Sequence, residues 1–386
     1  MSRPVILSIA AVTIAAFGYV PLHMYQGHEL TWFSAQDLAQ GGTGFSRTAA
    51  AVFVSPEMLG FVDSPQAEVG AGFRWLAEQR TRMVYDRFEN AIGEATFADN
   101  TSFAGWAGPL AGAYPAGHGL VLGAGIAPVY DFGYEYEKLN LDDFYNVVSQ
   151  DRTVQSGTVY SARLGAAYRV LGWLSAGVCG GYLFGNRRLE VSNLHNDTLD
   201  VLLRETGSPK GVRFGGGLAV EPLPGFVVDA GFRSGVRLRD FLLNPEYDVN
   251  AAAERPWRAR LAIEYRAGGR LPSKVVAEAG FEPWSMIDSL MYDVLSVRAG
   301  VEHRLSNSVR LRYGFGLEPL PCDRTAEMVR VGAGVGFDAG PVVIDLGALF
   351  TRGVLAPSMF STPLTPADLR VYETDGVLAV TVSREF

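Results

Sequence analysis

Residues able to do chemistry are present in this chain, but their spacing assembles no reactive centre. The five histidines, His23, His28, His118, His195 and His303, are scattered, with none of the short intervals that bring ligands onto one metal ion. Gly41-Gly42-Thr43-Gly44 is the nearest approach to a phosphate-cradling loop, yet it lacks the following lysine and the strand-to-helix setting. Acyl hydrolysis on a barrel needs a serine and a histidine on neighbouring strands, and His303 with Ser296 or Ser308 is the candidate pair. Glu135, Glu137, Asp142 and Asp143 share one segment, which is either a calcium loop or a solvated acidic one. The sequence therefore predicts no enzyme, no catalytic residue, no cofactor and no metal.

The more telling side chains are apolar. Leu141, Phe144, Tyr145 and Val148 fall at helical spacing in one segment, Leu199, Leu202 and Leu203 in a second, and Leu238, Phe241 and Leu242 in a third. Three amphipathic segments on one end of a molecule either cap one another or form an apolar groove for a greasy ligand. On the groove reading, the ligand-binding residues are Phe144, Val148, Leu199, Leu202, Phe241 and Leu242.

The elements that must carry these segments read as strands. Trp257, Ala259, Leu261, Ile263 and Tyr265 alternate with Arg258, Arg260, Ala262, Glu264 and Arg266, so one face is charged and the other is not. Val309 to Glu318 repeats the pattern. Six tight connections each separate two such segments: Pro115 to Gly119, Leu171-Gly172, Pro222 to Gly225, Gly268 to Pro272, Ser306-Asn307 and Asp338 to Pro341. Six hairpins make twelve strands; Glu68 to Trp75 and Gly376 to Phe386 bring the expected total to fourteen. The other connections are mostly long: 77–102, 133–157, 186–210, 238–256, 284–292, 319–325 and 352–374. Short turns at one end and long loops at the other, with a last strand finishing on Phe386, predict a 14-stranded antiparallel transmembrane β-barrel. Its charged face, with Arg163, Arg213, Asp229, Arg233, Arg260, Glu278 and Arg298, would line the lumen and pair across strands.

Composition agrees with this all-β reading. Gly reaches 45, aromatics 11% and charged residues only 19%, which suits many strands in close contact. A net charge of −8 gives no reason to expect nucleic acid. The spacing of Cys179 and Cys322 does not decide whether they pair. Arg3 and the apolar run Val5 to Ala16 read as a signal peptide over residues 1–18, which implies export. Residues 19–66 show no sustained period, and a segment of that size ahead of a barrel (67–386) is expected to fold into the lumen as a plug.

At this point the chain resembles the long-chain fatty acid transporter family of outer-membrane proteins, FadL-like barrels that include aromatic-hydrocarbon channels and PorV-like relatives. Family members carry a Gly-rich hatch and an Asn-Pro-Ala-Gly-Leu motif. Here Gly41, Gly42 and Gly44 precede Ser55-Pro56-Glu57-Met58-Leu59, of which Pro56 and Leu59 match. The resemblance implies a Gram-negative-type outer membrane, passive uptake of hydrophobic small molecules such as long-chain fatty acids, contact with membrane lipids, and delivery of the Phe386 strand to the barrel-assembly machinery. Its PorV-like branch implies instead a scaffold working with a secretion-system component. Pro128 lies inside the third strand and Pro109 inside the second, each removing a ladder donor. The family's kinked third strand makes these two the expected lateral exit, while a curvature-adjusting bulge is the plainer alternative.

Overall fold

The computed structural model describes residues 26–141, 144, 146–195, 198–241, 253–289, 291–321, 323–355 and 369–386. The expected signal peptide, Asp142, Asp143, Tyr145, Leu242 and Cys322 lie outside them. The barrel strands are β1 (Gln66–Tyr85), β2 (Ala91–Gly117), β3 (Leu120–Asp131), β4 (Thr158–Leu171), β5 (Leu174–Gly185), β6 (Lys210–Leu223) and β7 (Phe226–Arg233). They continue with β8 (Arg258–Ala267), β9 (Ser273–Glu282), β10 (Val294–Arg304), β11 (Val309–Leu320), β12 (Asp323–Ala339), β13 (Val342–Leu355) and β14 (Leu369–Glu385). Each pairs antiparallel with its neighbours in sequence, and β1 pairs with β14, closing a ring of fourteen.

All six tight turns fall where the sequence places them. At the first, His118 and Gly119 both take positive φ, 52° and 81°, the left-handed pair that a two-residue hairpin turn requires. Side-chain parity then decides between a water-soluble sandwich and a membrane barrel. On β8, Leu261, Ile263 and Tyr265 are 54%, 42% and 54% exposed, while Arg258, Arg260 and Glu264 are buried. A soluble sheet buries its apolar face; this one buries its charges and turns its apolar face outward, as a lipid-facing wall must.

Residues 26–65 lie inside the ring. They form a two-residue strand at His28–Glu29, helix α1 (Ala35–Ala39), helix α2 (Ala51–Val54) and a 3-10 turn at Pro56–Phe61. Ser34 caps α1, its Oγ accepting the Asp37 N–H at 3.0 Å, and Gly41 at φ 78° ends it. Strand glycines make room for this inner segment. A Cβ on Gly314 would come within 2.1 Å of the Gln40 carbonyl carbon, and one on Gly347 within 2.2 Å of the Ala35 oxygen.

Several expected boundaries are overturned. Residues 77–102 are not a loop: β1 and β2 stay paired up to Tyr85 opposite Ala91, and β14 follows β1 as far as Arg82 opposite Leu369. Two of the segments read at helical spacing fall largely in strands, while Leu238 and Phe241 of the third lie just past a short one. Tyr134–Leu141, Val147–Ser156, Arg187–His195 and Thr198–Gly207 form a separate four-stranded sheet at the long-loop end. Val236–Arg237 pairs with Glu254–Arg255 in a short ribbon. Spacings of three and four residues do not distinguish a helix face from a bulged strand, and the Thr198–Gly207 strand shifts register between Val201 and Leu203.

A cation on the outer wall tests the inside-out parity. Leu261→Arg, near the middle of β8, should lower stability by about 2–4 kcal/mol, read from urea unfolding of the barrel in lipid vesicles.

Candidate functional site

The wall is incomplete between β2 and β3. Their ladder runs from Gly117 opposite Leu120 to Leu110 opposite Ile126 and stops there. Beyond that point β2 is paired with β1 alone, with a register shift between Val69 and Ala71. β3 keeps β4 on its other edge to the end, with a shift between Pro128 and Tyr130. The break sits at the height of Phe73 and Phe103, whose exposed rings stack at 5.9 Å on the outer wall.

The vacant edge of β3 is taken by the inner segment. His28 pairs with Asp131, Glu29 with Tyr130, and the Leu30 N–H donates to the Val129 oxygen at 3.0 Å. An unpaired strand edge at bilayer depth would leave several N–H and C=O groups without partners, each costing several kcal/mol. Leu30 and Trp32 follow into a buried cluster with Leu38, Trp106, Leu349 and Val377, the Trp32 and Trp106 rings 5.9 Å apart. Arg74 ties the barrel side together: its Nε donates to Asp375 at 2.9 Å and its Nη1 to Asp131 at 3.1 Å, with His28 Nε2 3.7 Å from Asp375.

Below the break, the inner segment is bound to the wall through arginines. Arg260 reaches Asp229 at 2.5 Å, Glu57 at 3.0 Å and the Gly44 oxygen at 3.2 Å. Glu278 accepts from Arg298 at 2.9 Å and from the Gly44 N–H at 2.8 Å. Phe33 stacks on Phe53 at 5.0 Å beside this network. A cavity of about 30 Å³ opens there, lined by Phe33, Phe53, Arg233, Arg258 and Arg298 among others.

The four-stranded sheet roofs the lumen. Its Tyr134, Tyr136, Leu189 and Val191 join Phe33, Phe53 and Phe132 in one buried apolar cluster. On its outer face Glu190 accepts from Arg188 at 2.9 Å and Arg204 at 3.0 Å, which holds its carboxyl below the usual range.

No family profile matches the sequence, and no curated protein matches it. Solved structures do. The toluene transporter TodX of Pseudomonas putida aligns over 93% of this chain and 99% of its own, with TM-score 0.66 and 15% identity. A Pseudomonas aeruginosa FadL homologue aligns over 93% and 100%, at 0.60 and 11%. The toluene transporter TbuX of Ralstonia pickettii aligns over 92% and 99%, at 0.59 and 15%. The chain has the FadL-like fold.

Within this FadL-like barrel the two prolines come together. Pro109 adjoins the β1–β2 shift, Pro128 lies where β3 has no β2 partner, and a Cβ on Gly108 would meet Pro128 Cδ at 2.9 Å. Gly41 and Gly42 take positive φ, Gly44 donates to Glu278, and Pro56 and Leu59 are buried in the 3-10 turn. Of the six residues read as a groove, five are described and Leu242 lies outside the described residues. Phe144 is 83% exposed and Val148, Leu199 and Leu202 are also exposed, whereas Phe241 is 4% exposed and packs edge-on to Phe132 at 6.0 Å. Phe241 is core, because the chain after β7 folds back over the lumen instead of standing away from it.

The hydrolase pair is not formed either. His303 Nδ1 is 2.7 Å from Ser273 Oγ, and its Nε2 is 3.0 Å from the Tyr313 hydroxyl. Ser296 bonds the Gly280 carbonyl. Glu135 bonds Arg152 at 2.6 Å. Cys179 is buried as a free thiol. Sequence reasoning missed Arg74, Glu29, Tyr130 and Trp106; the one signal was an arginine on the inward parity of β1 beside aromatic Trp75.

Arg74→Leu would leave Asp131 and Asp375 buried without their shared cation. The expected loss is about 3–5 kcal/mol, measured by urea unfolding in vesicles.

Proposed function

We propose that this protein is a channel of a Gram-negative-type outer membrane that takes up hydrophobic small molecules passively. The observation that carries the reading is the interrupted ladder between β2 and β3, open at the height of the lipid-facing wall and backed by the apolar Leu30, Trp32 and Trp106 beside the Arg74–Asp131–Asp375 ion pairs. A polar solute would leave along the lumen; an apolar one leaves most cheaply sideways into lipid. That solved structures of this fold include toluene transporters supports the same class of cargo.

On this reading residues 19–66 form a hatch that blocks the lumen, with Gly41, Gly42, Gly44, Pro56 and Leu59 shaping it. Residues 67–386 form the wall, and Pro109 and Pro128 mark the exit. The short turns face the periplasm. The exposed rim of the roof, with Phe144, Val148, Leu199 and Leu202, makes first contact with ligand from outside, a role that passes from the expected groove to a strand edge. The β14 strand is the natural handle for barrel assembly.

Two experiments test this. Ala104 and Gly133 face each other across the upper gap, where a Cβ on Gly133 would be 2.8 Å from that of Ala104. With Cys179 and Cys322 replaced by serine, an Ala104→Cys/Gly133→Cys disulfide should cut uptake of labelled toluene or fatty acid, and reduction should restore it. Uptake that ignores the crosslink while binding stays normal would remove the lateral route. Separately, Phe144→Ser/Leu199→Ser/Leu202→Ser should weaken binding of a fluorescent fatty acid about tenfold or more, with the melting temperature unchanged.

A further inference from the structure

Glu57 stands in the 3-10 turn at Pro56–Phe61, where the Asn-Pro-Ala-Gly-Leu motif has alanine, and the wall is hollowed to receive it. A Cβ on Gly177 of β5 would come within 2.2 Å of the Glu57 nitrogen, and one on Gly217 of β6 within 2.5 Å of its Oε2. Ser175 Oγ donates to the Glu57 carbonyl at 2.7 Å. The side chain is fully buried, and its Oε1 meets Arg260 Nη2 at 3.0 Å, the same nitrogen that Asp229 Oδ1 meets at 2.5 Å. One cationic nitrogen serves two carboxyl groups.

The second oxygen of each, Glu57 Oε2 and Asp229 Oδ2, is also buried, and among the described residues no donor reaches it. Two carboxylates held on one arginine in a water-poor site repel each other, so one of them keeps a proton. Burial, and then the Asp229 charge, pushes the Glu57 carboxyl well above the usual range. The other groups nearby do not relieve the pair. Arg260 Nη1 is 3.7 Å from Glu278 of β9, which is itself met by Arg258 and by Arg298 of β10. Of the elements packed on the turn, β4 brings Arg163 and Arg169, which donate to the Phe53 and Gly60 carbonyls, and β5 brings the Cys179 thiol. Gly217 of β6, Gly123 of β3 and the apolar α2 add no charge there.

We propose that Glu57 carries a proton and donates it to Asp229, that this hydrogen bond seats the 3-10 turn on the wall, and that loss of the proton to water as pH rises releases the turn. The inner segment is thus latched by an acid. A carboxyl that titrates above its ordinary range in the folded state favours that state most at low pH. The seat is therefore firm in acid and weakens as pH climbs from the ordinary carboxylate value toward that of a buried glutamate, about 8–9. For its consequence the inference rests on the hatch reading, since release of the turn should then open a water path through the lumen.

The test is hydrogen–deuterium exchange of residues 44–61 in the full-length barrel in phosphatidylcholine nanodiscs, at about pH 5 and about pH 9, which flank the range of a raised carboxyl. Asp37 of α1, whose carboxyl burial pushes up to about 7, lies outside the segment that is read. After correction for the intrinsic rate, wild-type exchange should be about tenfold or more faster at the higher pH. Glu57→Gln keeps a carbonyl for Arg260 and offers an amide donor to Asp229 at any pH, so its exchange should be slow and equal at both. Asp229→Asn removes the competing charge, so Glu57 can ionise against Arg260, and it should flatten the profile too. Both variants are checked for a folded barrel by heat-modifiable gel migration. Wild-type exchange indifferent to pH, or an equal rise in Glu57→Gln, overturns the latch. Single-channel conductance in planar bilayers reads the consequence: exchange that follows Glu57 while conductance stays the same at both pH values upholds the latch and overturns the hatch reading.

Discussion

A strand that crosses lipid must have both of its edges satisfied, and much of this structure follows from how one edge is satisfied. Thirteen junctions of the ring are antiparallel ladders, five of them with a register shift, and the fourteenth is a ladder for only part of its length. Pro109 and Pro128, which carry no N–H, lie on the two strands at the break. The chain completes the β3 edge from inside, with three residues of its own N-terminal region. The seal is therefore made by hydrogen bonds that belong to a different part of the fold from the wall they close.

The lumen shows the complementary solution. Charges that water would solvate are buried against a polypeptide instead, and some are met by opposite charges and main-chain groups: Arg260 by Asp229, Glu57 and the Gly44 carbonyl, Glu278 by Arg298 and the Gly44 amide. Such pairs do little for net stability once desolvation is counted. They specify position instead, fixing the inner segment at a set height. Removing one partner is costly, because it leaves the other charge buried and uncompensated.

Much of the architecture is legible in the sequence because lipid imposes a strict period of two. Leu261, Ile263 and Tyr265 could not sit on the other parity, and the turns at His118-Gly119 and Ser306-Asn307 carry residues that suit tight reversals. Legibility fails where the wall leaves the bilayer. In β1 beyond Ala77 and β2 before Ser102, the buried positions are polar, as at Glu78, Arg80 and Thr81, and Gln79, Glu94 and Asn100 lie among them, so there is no apolar rhythm even though the two strands stay paired. The roof was obscured differently: Leu199, Leu202 and Leu203 mimic a helix face because a bulge displaces one of them. The seal left almost no signal, since two paired residues cannot establish a period, and Glu29 and Tyr130 are brought together only by closure of the ring. The candidate site was thus visible as two prolines and invisible as a contact.

The unequal height of the wall has a practical consequence. β1, β2 and β14 rise together well past the lipid-facing rows, and the turn that joins β1 to β2 is held by Asp86, whose carboxylate accepts from the Phe88 and Asn90 amides. At about 3.3 Å per residue, the eight steps from Ala77 to Tyr85 extend the hairpin about 26 Å along the strand direction. That makes it a mast, and exposed Phe88 at its tip is a place to splice in an affinity tag or fluorophore.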